Sequence, residues 1–358
     1  MKRYIGLVPV LCLLLCGCDR LPAAREMGDM ALLRTMGVDQ AEAGVAVTGS
    51  TGPRAKGLQG EEEASLVLAA DHTSLSGACL AMQGLSDSYV FFGYVDQLLL
   101  GEELAAEGVR PVLDYFARDV ELGLGAQLWL IRGASAREAV SSGGEKGTDA
   151  RLSTLQTDGE MGMANLPRTA GEVYTDLLER GAAFAPALTP AGEEDTSLTE
   201  RGYGVLRDFQ LAGWLEGEAA RGLELLAGSP SPDMLTHPLG ENQVSARITG
   251  VHTRPSLEFQ GEEPVGLSLK CRAAVRLEEY QAPLGARERE QLRDLLEGQL
   301  RARLEAALTQ LQSWRADCAG LGARAGMARP ARWQEIQDSW PEWFSRLPVD
   351  ITVQVDLT

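Results

Sequence analysis

The C-terminal half of the chain carries the clearest alternation of apolar and polar residues. Within 349–357 every odd-numbered position is apolar and every intervening position is polar. Strict alternation predicts a strand with one face on a core and the other in water. Similar patterns predict strands at 243–250 and 267–280, and a strand or hairpin at 203–215.

Helices in this half are indicated by apolar residues that recur every three or four positions. We predict helices at 216–227, at 286–318 and, after Pro330, at 333–347. The longest has one leucine face, formed by Leu292, Leu296, Leu300, Leu304, Leu308 and Leu311. This face could pair with a partner helix, but packing on the chain's own sheet is the favoured interpretation.

The first half of the chain has shorter and less regular elements. The predicted elements are a strand pair at 30–48, helices at 61–84, 101–107, 112–119 and 169–181, and strands at 89–95 and 126–132. Ser, Gly, Thr and Asp are abundant at 141–162, which predicts a loop. Pro and Gly residues beside an acidic pair predict a linker at 183–202.

Together these elements predict an α+β fold with more than one domain. We expect an N-terminal domain at 18–182, which contains the loop, and a C-terminal domain at 203–358. The linker at 183–202 would join them. The C-terminal domain should be a mainly antiparallel sheet with long helices packed on one face.

The first eighteen residues have the order of a lipoprotein signal. Lys2 and Arg3 precede an apolar run at 5–15, and small Gly17 is followed by Cys18. This order predicts a signal peptide at 1–17 and lipidation of the Cys18 thiol. The apolar run is shorter than the roughly 20 residues of a membrane span. A plain secretory signal or a core helix with an incidental cysteine is the alternative.

The charge balance excludes one class of partner. The 358 residues include 33 basic and 51 acidic side chains, which gives a net charge of −18. Nucleic-acid binding needs clustered Lys and Arg, so we expect no nucleic-acid partner. The same balance argues against electrostatic docking on anionic lipids. A lipid anchor, rather than charge, would hold the protein on the outer face of a membrane.

No sequence motif for catalysis, metal binding or cofactor binding stands out. His72, His237 and His252 lack the spacing of metal ligands, and no serine lies in a Gly-x-Ser-x-Gly elbow. The glycines of 320–326 follow a helix rather than a strand, which indicates a C-cap and turn rather than a phosphate-binding loop. Adjacent acidic residues are interpreted as solvated faces, and a catalytic carboxylate pair stays open.

The cysteine count allows little cross-linking. Besides Cys18, cleavage would leave Cys79, Cys271 and Cys318, so at most one disulfide could form. A bridge between Cys271 and Cys318 stays open, although free thiols are favoured.

Three tryptophans near the C-terminus share a spacing. Trp333, Trp340 and Trp343 fall at i, i+7 and i+10, which is one face of a helix. A core stripe is the favoured interpretation. The alternative is a partner-contact surface, because Trp is enriched in binding hot spots.

Several short motifs follow one another along nearly the whole chain. They are Arg25-Glu26, Asp29-Met30-Ala31, Gly37-Val38-Asp39, Gly101 to Ala105, Gly108 to Asp114, Arg118-Asp119, Gly213-Trp214-Leu215, Arg221-Gly222, Ala316-Asp317, Gly320, Gly322, Trp333, Ile336 and Trp340. Their order resembles that in the C subunit of nutrient germinant receptors, the Ger(x)C spore germination lipoproteins. No motif is specific for this family by itself, but their order together with a lipoprotein signal is specific.

The resemblance implies a non-enzymatic receptor component with several mixed α+β domains. It would be anchored through Cys18 on the outer surface of the inner spore membrane. There it would assemble with integral membrane A and B subunits and couple nutrient sensing to germination. Two other classes stay open. One is an extracytoplasmic solute-binding lipoprotein of a transporter, with two α/β lobes around a ligand cleft, and the other is a hydrolase that uses convergent carboxylates.

Overall fold

The structure is a computed structural model that describes residues 30–56, 61–190, 198–240 and 242–358. The predicted signal peptide at 1–17 and Cys18 lie outside the described residues. Within these residues the strands are β1 (Met30–Leu32), β2 (Thr35–Ala41), β3 (Gly44–Ser50), β4 (Arg54–Lys56), β5 (Glu61–Glu63), β6 (Val67–His72), β7 (Tyr89–Phe91), β8 (Gln97–Leu100), β9 (Gln127–Ile131), β10 (Ala182–Pro190), β11 (Leu198–Arg207), β12 (Gln210–Leu215), β13 (Met234–Leu239), β14 (Asn242–Gln260), β15 (Glu263–Tyr280) and β16 (Val349–Leu357).

The described α-helices are α1 (Leu75–Gln83), α2 (Glu102–Glu107), α3 (Arg110–Arg118), α4 (Ala136–Ser141), α5 (Asp149–Glu160), α6 (Ala170–Arg180), α7 (Gly217–Ala227), α8 (Ala286–Ser313), α9 (Leu321–Gly326), α10 (Pro330–Ile336) and α11 (Trp340–Arg346). Short 3₁₀ helices lie at Gly144–Lys146 and Gln337–Ser339.

An eight-stranded sheet organises the first half, in the order β12-β11-β10-β9-β8-β2-β3-β6. Its four central strands, β10, β9, β8 and β2, are parallel to one another. The strands at both ends pair antiparallel. Parallel neighbours need crossover connections, which α2 and α3 supply between β8 and β9, and α4 to α6 supply between β9 and β10.

Helices cover both faces of this sheet, because side chains alternate along its central strands. In β8, Leu98 and Leu100 enter the apolar cluster with α1, α3 and α6, whereas Leu99 enters the cluster with α4 and α5. Successive strand residues point to opposite faces, and all three leucines are fully buried. The sheet is therefore the middle layer of a helix–sheet–helix arrangement.

A four-stranded sheet, β13-β14-β15-β16, organises the second half. The first two pairings are antiparallel and the last, between β15 and β16, is parallel. The six leucines of the α8 face, Leu292, Leu296, Leu300, Leu304, Leu308 and Leu311, are at most 3% exposed. They share a core with this sheet, which confirms packing on the chain's own sheet.

The two halves also share that core. Phe184 of β10, Tyr203 of β11 and Leu215 of β12 are buried in the same apolar cluster as Leu223 of α7 and Leu304 of α8. One surface of the larger sheet's end therefore packs on the C-terminal helices.

The prediction of a linker at 183–202 is wrong wherever the residues are described, because β10 and β11 form an antiparallel pair there. Its proline-rich composition was misleading. Pro186 lies where the β10–β11 register shifts, and a bulge tolerates a residue that has no N–H to donate. Whether 18–182 and 203–358 are the domain bounds stays a prediction.

The predicted helix at 61–84 is wrong for its first part. The segment contains β5 and β6, and the helix α1 begins only at Leu75. The side chain of Ser74 accepts a hydrogen bond from the Gly77 N–H and so caps the helix at that point. Pairing of β6 with β3 adds an edge strand to the large sheet, a long-range contact that local periodicity does not report.

The predicted loop at 141–162 is wrong as well, because α5 occupies most of it. Its polar composition hides two buried leucines, Leu152 and Leu155, which share a cluster with Trp129. Those two leucines, about one helical turn apart, attach a largely polar helix to the sheet.

The predicted helix at 333–347 is broken into α10, a 3₁₀ turn and α11. Each α-helix has a proline in its first turn, Pro330 in α10 and Pro341 in α11. Proline favours the first turn of a helix but cannot donate the hydrogen bond that would continue one. Pro341 therefore restarts the chain in a new helix.

Candidate functional site

A cavity of about 510 Å³ lies at the junction of the two halves. The end of α6 forms one wall, and the segment 315–341 forms the other. Its lining includes Arg180, Asp208, Asp317, Trp333 and Trp340. We call it the Asp317 pocket. It brings together two of the three tryptophans that share a spacing in the sequence.

The carboxylate of Asp317 is the best-connected polar group in this pocket. It accepts hydrogen bonds from the N–H groups of Leu321 at 2.8 Å and Gly322 at 2.7 Å, and from the indole N–H of Trp340 at 2.8 Å. Burial raises the pKa of Asp317, although the three donors lower it. Because both oxygens are engaged, this carboxylate holds the start of α9 rather than presenting a free base.

Two glycines of α9 make room for the tryptophan pair. A Cβ on Gly322 would lie 2.3 Å from Cε2 of Trp340, and one on Gly326 would lie 2.4 Å from Cγ of Trp333. The two rings meet edge to face, with centroids 5.4 Å apart. The glycines of 320–326 therefore serve close packing in a short helix, and the predicted C-cap and turn is wrong for 321–326.

The three tryptophans have different environments. Trp340 is only 6% exposed and belongs to the core, so its side chain offers little surface to a partner. Trp333 and Trp343 are half-buried, and the guanidinium of Arg346 lies 4.0 Å from the ring centre of Trp343. Partner contact through Trp333 and Trp343 stays a prediction.

Arginines connect the α6 side of the pocket to the C-terminal half. Arg168 and Arg180 both form ion pairs with Asp176. A Cβ on Gly320 would lie 2.7 Å from an Nη atom of Arg180, so the two halves touch at this point. Gly320 also has a φ of +66°, which favours glycine. Arg324 donates to the carbonyl oxygens of Leu226 and Thr253 and so links α9 to α7 and β14.

A second junction forms around Trp214, another residue of the recurring motifs. Its indole N–H donates to Glu102 at 3.1 Å, and Glu102 also accepts from the Gly133 N–H at 3.0 Å. Arg132 lies over the Trp214 ring at 5.4 Å and pairs with Glu216. These contacts join β12 to α2 and to the end of β9.

Asp39 has a comparable role inside the large sheet. It accepts hydrogen bonds from the N–H groups of Ala136 at 2.7 Å and Arg137 at 2.8 Å, so it caps α4 from a distant strand. Burial raises the pKa of Asp39, and those two bonds oppose the shift. A Cβ on Gly101 would lie 2.1 Å from Oδ1 of Asp39, which explains the small residue beside it.

The sequence alone does not reveal these roles of Asp39, Glu102, Asp317 and Trp214. It shows each residue only as part of a motif, without its partner. In the sequence each of the three acids lies near a glycine. This local spacing does not show which distant helix end or side chain the acid will contact.

The described residues contain neither a metal-binding cluster nor a helix that could span a membrane. No group of three or more His, Cys, Asp or Glu side chains there is arranged to hold a metal ion. No helix in the same ranges is long and apolar enough to cross a membrane. The thiols of Cys79, Cys271 and Cys318 are buried and free, so the Cys271–Cys318 bridge that the sequence left open is not formed.

Comparison with known proteins assigns the chain to a family. A family model described as "Spore germination protein N-terminal domain" matches residues 23–190. A second, "Spore germination B3/ GerAC like, C-terminal", matches residues 201–358. The chain belongs to the GerAC-type family of spore germination proteins, which is not a known enzyme family. This confirms the family that the sequence motifs resemble.

Individual relatives agree with this assignment. The chain is 22% identical to "Putative spore germination protein YfkR" of Bacillus subtilis (strain 168), over 98% of this chain and 95% of that protein. It is also similar to the crystal structure of the GerBC protein, with a TM-score of 0.59 and 17% identity over 90% of this chain and 97% of that chain. At that identity the likeness establishes the fold, and it confirms the predicted multi-domain α+β class.

Proposed function

We propose that this chain is a non-enzymatic, lipid-anchored subunit of a spore nutrient germinant receptor. It would act on the outer face of the inner spore membrane through contacts with integral membrane A and B subunits. The observation that carries the proposal is the succession of two spore germination family matches, which together run from residue 23 to residue 358 with a short gap.

The use of polar residues in the recurring motifs supports a contact role. Asp39, Glu102 and Asp317 each accept two or more hydrogen bonds from residues of other elements, so they hold those elements in position. A receptor subunit that transmits a signal by contact needs elements that are held in fixed positions in this way. This role needs no free base or nucleophile.

The proposed anchor fits the start of the described chain. Cys18 precedes Met30, the first residue of β1, by twelve residues, and a fully extended chain of that length spans at most about 40 Å. A thioether-linked diacylglycerol supplies two acyl chains, which are enough for stable anchoring where one chain is marginal. The folded part would therefore stay close to the membrane surface.

An affinity purification from detergent-solubilised spore membranes tests the partners. The full-length protein carries the affinity tag, and mass spectrometry identifies what is recovered. We expect two integral membrane proteins in fixed proportion. Recovery of transporter components instead would support a solute-binding lipoprotein and contradict the proposal.

The anchor is tested by Cys18→Ala, with Cys16→Ala as the matched control. Both remove one thiol, but only Cys18 is at the predicted lipidation position. We expect Cys18→Ala to leave the membrane fraction while its thermal unfolding stays unchanged, and Cys16→Ala to remain. Normal membrane retention of Cys18→Ala would contradict the anchor.

A further inference from the structure

One exposed sheet face carries a concentration of positive charge on this acidic chain. The outer face of the four-stranded sheet presents His252 and Arg254 on β14, and Lys270 and Arg272 on β15. The strand register places Arg254 directly opposite Lys270, and His252 opposite Arg272. We call these four residues the basic face.

Polar side chains of β16 continue the basic face. Lys270 pairs in register with Thr352, and Arg272 pairs with Gln354. The six side chains border a shallow cavity of about 260 Å³. Two rows therefore cross the three strands side by side. One row is Arg254, Lys270 and Thr352, and the other is His252, Arg272 and Gln354.

The charges of the basic face have few internal partners. Within the described residues neither Arg254 nor Lys270 forms an ion pair, and Arg272 reaches Gln354 at 2.9 Å and the exposed Asp356 at 3.9 Å. Like charges directly opposite each other on a sheet are destabilising. The fold therefore keeps an unfavourable arrangement that an external anion would relieve.

We propose that the basic face binds an acidic segment of a partner polypeptide. Lys270 and Arg272 are two residues apart, about 6.7 Å along the strand. An extended segment with acidic residues at alternate positions repeats at the same spacing, so its carboxylates would meet both cations. Thr352 and Gln354 would add hydrogen bonds. The basic face would be a contact surface of the proposed receptor subunit. Only the identity of the partner as a receptor component rests on the proposed function.

An anionic membrane fits this face less well than a peptide does. Lipid-binding basic clusters usually contain about four to eight Lys or Arg residues, whereas this face has only Arg254, Lys270 and Arg272. The chain's net charge of −18 also repels a broad anionic surface. A narrow peptide on the basic face lies within about one Debye length, 8–10 Å, of the local positive charges, and more distant charges are largely screened.

A peptide-binding measurement on the full-length protein in nonionic detergent tests the proposal. The probe is a short peptide with Glu at every second position and Ser between, and the reference probe has Gln in place of Glu. The variant is Arg254→Glu with Lys270→Glu. The matched control, Arg287→Glu with Arg293→Glu, makes the same charge change on exposed positions of α8.

We expect the Glu peptide to bind more tightly than the Gln peptide, and less tightly as salt is raised. The Arg254/Lys270 variant should weaken binding about five-fold or more, while the control stays within about two-fold of wild type. If the double variant unfolds, the single neutral change Lys270→Gln replaces it. An unchanged melting temperature of Lys270→Gln then shows that weaker binding is not caused by unfolding.

Three outcomes would overturn the proposal. These are equal weakening by both double variants, no preference for the Glu peptide, and charge-dependent binding only to phosphatidylglycerol vesicles. Each is separate from the failure of the proposed anchor, because peptide binding is measured on purified protein and anchoring is measured by membrane fractionation.

Discussion

Trp340 donates its indole N–H to the buried carboxylate of Asp317 over 2.8 Å. The bond links α11 to the segment that follows the long helix α8. The same carboxylate holds the first N–H groups of α9. The Asp317 side chain therefore positions two helices of the Asp317 pocket. Its loss should lower the stability of the C-terminal half.

Replacing Trp340 with Phe tests that link. The change removes a hydrogen bond to a charged group and part of a core side chain, so we expect a loss of about 2–3 kcal/mol in the free energy of unfolding. The control is Trp343→Phe, which changes a half-buried ring that lies beside Arg346, and should cost less than about 1 kcal/mol. Urea denaturation measures both, and equal losses would contradict the assigned role.

The pKa of Asp317 predicts a dependence of stability on pH. Burial raises the pKa above the ordinary value of 3.8 in the folded state. As the pH rises past that ordinary value, Asp317 loses its proton in the unfolded chain but keeps it in the folded protein. The free energy of unfolding therefore falls until the pH passes the raised folded-state pKa. In Asp317→Asn this contribution is absent.

Denaturation of wild type and Asp317→Asn at about pH 3.5 and about pH 7 measures that difference. We expect wild type to lose more unfolding free energy than the variant between the lower and the higher pH. The variant will be less stable overall, but the comparison uses only the change with pH. A larger loss in the variant would show that the folded-state pKa is lowered instead.

Two glycine substitutions separate close packing from helix propensity. Gly322→Ala places a Cβ 2.3 Å from Trp340, and we expect it to destabilise the protein by about 1–3 kcal/mol. Gly298 lies within α8, where an added Cβ would meet nothing within 4 Å, so Gly298→Ala should stabilise by up to about 1 kcal/mol. Thermal unfolding gives the signs, and stabilisation by Gly322→Ala would contradict the packing.

The buried thiols should be unreactive in the folded protein. Burial raises the pKa of Cys79 to about 11 and also raises the pKa of Cys271 and Cys318. Only the thiolate reacts rapidly. We therefore expect Ellman's reagent at neutral pH to spare all three until denaturant is added, with mass spectrometry identifying the sites. Persistent protection of Cys271 and Cys318 in denaturant without reductant would indicate a disulfide.

Local patterns predicted many elements correctly. The alternation at 349–357 became β16, and the leucine face of α8 is buried as predicted. The helix predicted at 169–181 is α6, and in the structure a capping box of Thr169 and Glu172 starts it and Gly181, in the left-handed region, caps its end. These signals are local, because strand alternation, helix periodicity and capping need only neighbouring residues.

The sequence by itself determined the family, the α+β class and most of the strong helices and strands. Only the tertiary structure decided the partners of Asp317, Trp214 and Asp39, and the use of β10 and β11 as sheet strands in place of a linker. Those features depend on contacts between residues far apart in the chain. A carboxylate becomes a structural joint only when folding removes water and places distant N–H donors around it.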